Sequence, residues 1–142
     1  MIKILFLTLL LLPSFGFAED ADHRTTLEKY QGDNYYYLIS CELMFKSNLL
    51  KAELDEAVDP NENYHNCIST SKEQSQKNLN KALSTIKKSA AKQALKKYHV
   101  SFVAALYGIE PNLDEIKLLY AQRQNNLKEK MTEAWATFET EQ

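Results

Sequence analysis

From Ser71 to Tyr107 the chain runs for 37 residues without a glycine or proline, with lysine on one side and Leu, Ile and Ala on the other. At 100° per residue, Leu79, Leu83, Ile86, Ala90 and Ala94 share one helical face, and Lys77, Lys81, Lys88, Lys92 and Lys96 occupy an arc opposite it. The spacing predicts one long central helix, opening near Asn66 or at the capping-box sequence Ser71-x-x-Gln74 and stopped by Gly108. Past Leu95 the apolar residues Tyr98, Phe102, Val103 and Leu106 spread around the cylinder, so this end is expected to be enclosed by other helices.

The flanking segments carry the same period. Thr25-x-x-Glu28 has the form of a capping box and predicts a short helix ending at Gly32, with a second start at Asp33. Leu27, Tyr30 and Asn34 extend the second helix's phase backward, which leaves a single helix through Gly32 as the alternative. Tyr37, Cys41, Met44, Phe45 and Leu49 form the expected buried stripe. The helix then either breaks near Ser47-Asn48, the preferred reading, or continues to Val58 before Asp59-Pro60-Asn61-Glu62-Asn63 stops it. Beyond Gly108 and Pro111, Asn112-x-x-Glu115 predicts the cap of a last helix. Its stripe is Leu113, Ile116, Tyr120, Leu127, Met131, Ala134 and Phe138, with Trp135 beside it and Gln124 the one polar intruder. The expected fold is all-α: an antiparallel bundle of three long helices, with room for a short fourth at the N-terminus.

Composition sharpens this picture at the N-terminus. Lys3, the apolar run Ile4–Leu12, Pro13 and Gly16-Phe17-Ala18 read as a secretory signal over residues 1–18, leaving residues 19–142 as one helical domain. The apolar run is shorter than the ~20 residues a membrane span needs. The expectation is a periplasmic or secreted bacterial protein with no transmembrane segment after cleavage. In an oxidising compartment the two remaining cysteines, Cys41 and Cys67, are read as a disulfide. Charge is sorted along the chain: −7 over Glu19–Tyr64, +7 over Ser71–Val100 and −3 over Gly108–Gln142.

The lysine arc is the main candidate for function. Lysines four apart repel by a few tenths of a kcal/mol per pair, so the face is either solvated, balanced by the chain's own acidic segments, or matched to an acidic protein partner. An anionic envelope surface is the next candidate. No aromatic rings interleave with the lysines as stacking platforms, which argues against nucleic acid. Tyr35-Tyr36-Tyr37 spans about 200° of a helix, so at least one ring should face outward; Tyr35 and Tyr36 join the candidate contact residues.

Motifs for chemistry are thin. His65-x-Cys67 offers two ligands where zinc takes three or four, and a disulfide would consume the sulfur. Glu62-x-x-His65 is a single copy of a spacing that di-iron sites use twice. Hydrolase, metalloprotease and phosphate-loop signatures are missing. The expected function is therefore a non-catalytic exported protein-binding module, of inhibitor, immunity or chaperone-like character, acting without a cofactor through the lysine face. The alternatives are a bundle holding a small ligand or haem, and a cell-envelope hydrolase.

Overall fold

A computed structural model describes residues 17–54 and 62–142. Within them the chain is helical, with no strand. It forms four α-helices: α1 (Phe17–Glu53), α2 (Glu62–Thr85), α3 (Ser89–Tyr107) and α4 (Lys117–Glu141). The signal-like run Ile4–Leu12 and the stop expected at residues 59–61 lie outside the described residues.

Side-chain pairs fix the topology. Cys41 bonds to Cys67 and Asp33 accepts from Asn78, so α2 returns antiparallel to α1. Ser75 meets His99 and Lys72 meets Tyr107, so α3 returns antiparallel to α2. Tyr98 stacks edge-on against Trp135, and Lys128 and Thr132 reach Glu42 and Tyr35, which closes α4 against α3 and α1. The result is an up-down-up-down bundle. Its centre is an aromatic relay from α1 to α4: Tyr30 to Tyr98 with centroids 5.9 Å apart, then Tyr98 to Trp135 and Trp135 to Phe138, each at 5.0 Å. Cys41 and Cys67 form the expected disulfide, with Cα atoms 5.7 Å apart.

Helix boundaries depart from the sequence reading in three places. First, α1 is unbroken through Gly32 and through Ser47-Asn48, so Thr25 and Asp33 start nothing. The buried stripe is Leu27, Tyr30, Asn34, Leu38, Cys41, Phe45 and Asn48, and it continues across both proposed breaks. Packing along that stripe outweighs a glycine that disfavours helix by about 1 kcal/mol. Tyr37 and Met44 sit half-buried at its edge and Leu49 is exposed.

Second, the central run is two helices rather than one. Ile86-Lys87-Lys88 interrupts it, with Lys88 extended at φ −74°, ψ 130°. An unbroken 37-residue helix would be ~55 Å long. Folding back instead places Leu95, Tyr98, Phe102 and Leu106 in the same core as Leu79 and Ala82. Ser84 and Thr85 aid the break by donating their hydroxyls to Lys81 O and Ala82 O, in competition with the helix ladder. Ala90, expected on the buried face, is exposed.

Third, α4 begins at Lys117, not at Asn112. Only half of the Asn112–Glu115 box forms: Asn112 N–H donates to Glu115 Oε2, but Glu115 N–H donates to the Asn112 backbone carbonyl, Asp114 has φ +60° and the segment closes a turn. Leu113 and Ile116 therefore project into solvent instead of joining the core. The polar intruder Gln124 is buried, and its Nε2 donates to Gly108 O.

Candidate interaction surface

The lysines do not form one helical face. Lys77 lines a groove of about 490 Å³ between α2 and α3, beside Lys72 and Tyr107. Lys81 lines a hollow of about 190 Å³ between α1 and α2, beside Lys29 and Asp33. Lys88 is the extended residue that opens α3, and Lys92 and Lys96 lie on α3 itself. The two helices run antiparallel, so the arc expected on one cylinder is divided over three surfaces. Of the tyrosines, Tyr36 is the outward ring, while Tyr35 is half-buried with its hydroxyl 3.4 Å from Thr132 Oγ1 on α4. The structure thus does not bring the nine sequence-selected residues together; only Cys41 and Cys67 meet.

A different site emerges at the α3–α4 connection, and Arg123 organises it. Its Nε and Nη2 grip the two Glu115 oxygens at 2.9 and 2.7 Å. Nη1 donates to Gly108 O at 2.8 Å and Nη2 to Glu110 O at 2.9 Å. Tyr120 adds its hydroxyl to Ile109 O at 2.6 Å. The planar guanidinium supplies donors in a fixed fork, so one side chain satisfies four acceptors and sets the path of the loop. The same grip holds the Glu115 carboxyl down at about 2, with further help from the Asn112 backbone. Gly108 is part of the fastening: a Cβ there would collide with Leu127.

What this clamp holds outward is apolar. Leu113, next to the left-handed Asp114, is 94% exposed, and Ile116, Leu118 and Leu119 are each more than half exposed. The antiparallel pairing of Lys128 with Glu42 sets Leu50 of α1 roughly level with Tyr120 of α4, so Leu50 and Leu54 adjoin this end of the bundle. Six large apolar side chains thus stand exposed on the loop and the helix ends at this level of the bundle.

A polar cluster inside the bundle brings a serine and a histidine within hydrogen-bond distance. Ser75 Oγ lies 3.2 Å and Tyr30 Oη 3.0 Å from His99 Nδ1. Burial depresses the His99 pKa, with Lys72 adding to the effect, and pushes Tyr30 up to about 12. Ser75 is fully buried, so substrate cannot reach its oxygen, and the cluster ties α1, α2 and α3 together as a structural network. His65 is exposed, and the Cys67 sulfur beside it is committed to the disulfide. Among the described residues no three His, Cys, Asp or Glu side chains group as metal ligands, and no helix is long and apolar enough to cross a membrane. Arg123 was not marked out by the sequence; the signal that could have found it is its place eight residues after the capping-box glutamate, within side-chain reach of a turn. Comparison with protein-family models, curated proteins and solved structures finds no match to this chain.

Proposed function

We propose that this chain is an exported, non-catalytic protein-binding module that holds or occludes another protein, using the apolar end of the bundle as its contact surface. The observation that carries this reading is Leu113 standing almost fully in solvent on a loop fastened by Arg123. An anchor already fixed in place loses little conformational freedom on docking, which is the property that makes a few residues dominate an interface. The sequence features that support export are the signal-like first 18 residues and the paired cysteines.

In this reading the lysines have a different role from the one their sequence spacing suggested. Spread over α2, the turn and α3, they act on the rate at which an acidic partner is encountered rather than as a docking face.

The test is affinity capture by the mature oxidised protein from its own envelope and secreted extracts, beside three variants. Expected is one stoichiometric protein, retained by wild type and lost with Leu113→Asp/Ile116→Asp. Arg123→Ala should weaken retention without unfolding the bundle. Lys77→Gln/Lys81→Gln/Lys88→Gln/Lys92→Gln should slow association and reduce its salt dependence while leaving dissociation unchanged. The same proteins retained by wild type and the Leu113/Ile116 variant alike would overturn the assignment of this surface.

A further inference from the structure

The outer face of α1 carries a second apolar surface that no other described helix covers. Tyr36, Ile39, Leu43, Leu50 and Leu54 follow one another at steps of three, four, seven and four, all on the side of the helix opposite the buried stripe. Their exposures run from 52 to 74%. Gly32 continues the line one turn before Tyr36, and a Cβ placed there meets nothing within 4 Å. Among the described residues nothing accounts for so poor a helix former at an open position in mid-helix.

We propose that a second copy of this chain occupies this face, with the two α1 helices packed antiparallel about a two-fold axis at Leu43. Three observations converge on that occupant. Reversing the helix about Leu43 lays Leu43 on Leu43, Tyr36 opposite Leu50, Ile39 opposite Ser47 and Gly32 opposite Leu54. Large thus meets small at both interdigitating layers, and Gly32 admits the partner's leucine. The flanks are complementary in charge under the same operation. Lys51 faces Asp33 of the other copy on one side, and Lys46 faces Glu42 on the other; within its own chain Asp33 already meets Lys29 and Asn78, and Glu42 already pairs with Lys46 and Lys128. The area also fits. Five large side chains more than half exposed leave on the order of 400 Å² of apolar surface. That is close to the apolar share, a little over half, of the ~800 Å² each partner buries in a standard interface. An isologous contact closes on itself, so it ends at a dimer. It meets the apolar end of the bundle at Leu50 and Leu54 but does not use the Leu113 loop, and it does not depend on the partner-binding reading above.

Sedimentation equilibrium of the mature oxidised protein over roughly 1–300 µM tests this. Wild type should be dimeric in that range. Leu43→Glu and Leu43→Lys should each weaken association by ~100-fold or more, because each substitution enters the interface twice. Mixing the two variants should restore a heterodimer, since the opposite charges then meet at the axis. Gly32→Leu should give a monomer whose circular dichroism and thermal midpoint match or exceed those of wild type, which separates a blocked seam from a damaged fold. Leu113→Asp should leave the dimer intact. A monomer at every concentration would overturn the proposal. A dimer indifferent to Leu43→Glu, or variants that the mixture does not rescue, would do so equally.

Discussion

Removing the disulfide is the perturbation whose size follows most directly from this architecture. Cys41 and Cys67 are 26 residues apart in sequence. In the chain-entropy treatment a loop of that length restricts the unfolded state by an amount equivalent to ~3.5 kcal/mol at 25 °C. Against a total of about 5–15 kcal/mol for a domain of ordinary stability, that is a quarter to more than half. A double Cys41→Ala/Cys67→Ala variant should therefore lose about 3–4 kcal/mol in urea unfolding followed by circular dichroism. For ~120 residues this is a fall in thermal midpoint of about 10–15 °C. Reduction of the wild-type protein without substitution should give a similar loss, because the thiols keep the volume of the fully buried Cys41 beside Ser71 Oγ. The loss should also be uneven. The bond joins α1 to α2 near their shared end, whereas α3 and α4 are fastened separately through Arg123 and Trp135. Amide exchange should accelerate first in the last three turns of α1 and the first turn of α2. A loss below about 1 kcal/mol, or acceleration spread evenly over all four helices, would refute the reasoning and show that the reduced unfolded chain is already compact.

The remaining predictions concern ionisation and packing. The folded state holds His99 below its ordinary value of 6.5, so it binds fewer protons than the unfolded chain. Its contribution is complete above that value and is lost as pH falls through it toward the folded value; a His99→Gln variant should show a flatter stability profile between pH 7 and 5 in the same urea assay. Tyr30 and Tyr64 are both pushed up to about 12 by burial, so stability should decline as pH rises past 10, where unfolded tyrosine ionises and the folded rings do not. Burial raises Tyr98 further still, so ultraviolet titration should show three tyrosine equivalents appearing only with unfolding, and their appearance below pH 11 in the folded protein would contradict the packing. Gly108→Ala should cost about 1–3 kcal/mol, since the new methyl must displace Leu127 and disturb the carbonyl that Arg123 and Gln124 share. An unchanged thermal midpoint would show that Leu127 moves aside freely.

The helical class and the disulfide were legible because they rest on local signals: a 3.6-residue period, few breakers and a cysteine pair; the return at Ile86–Lys88 was not, since no glycine or proline marks it. The inward stripe of α1 through Leu27, Tyr30, Asn34, Cys41 and Phe45 was legible too, but the second, outward apolar line was not. On α1 the buried line through Leu38 and Phe45 and the exposed line through Ile39 and Leu43 interleave in the sequence. Leu113 and Ile116 continue the phase of α4, yet the left-handed Asp114 between them takes the backbone off the helix, and no residue type there demands it. Glycine would have announced that turn; aspartate tolerates it silently. Arg123 escaped notice for the complementary reason. Its four acceptors are two backbone carbonyls and a glutamate that looked fully explained as a cap.

The turn at Ile86–Lys88 shows why the lysine pattern misled, and magnitudes decide the case. Breaking a helix there exposes three or four backbone pairs to water, at about 1 kcal/mol each. Relief of lysine repulsion contributes little, because the pairs Lys77–Lys81 and Lys92–Lys96 stay four apart on their own helices and each costs only a few tenths. Burial of Leu95, Tyr98, Phe102 and Leu106 against α1, α2 and α4 contributes about 1.5–3 kcal/mol per side chain, on the order of 10 kcal/mol together. Those four residues have no such partners on an extended 37-residue helix, so the apolar gain outweighs the broken ladder severalfold. The lysines follow the backbone that the core requires. Their regular spacing survives on two separate helices, while the residues placed against the local rules are Leu113 in solvent and Gly32 in mid-helix.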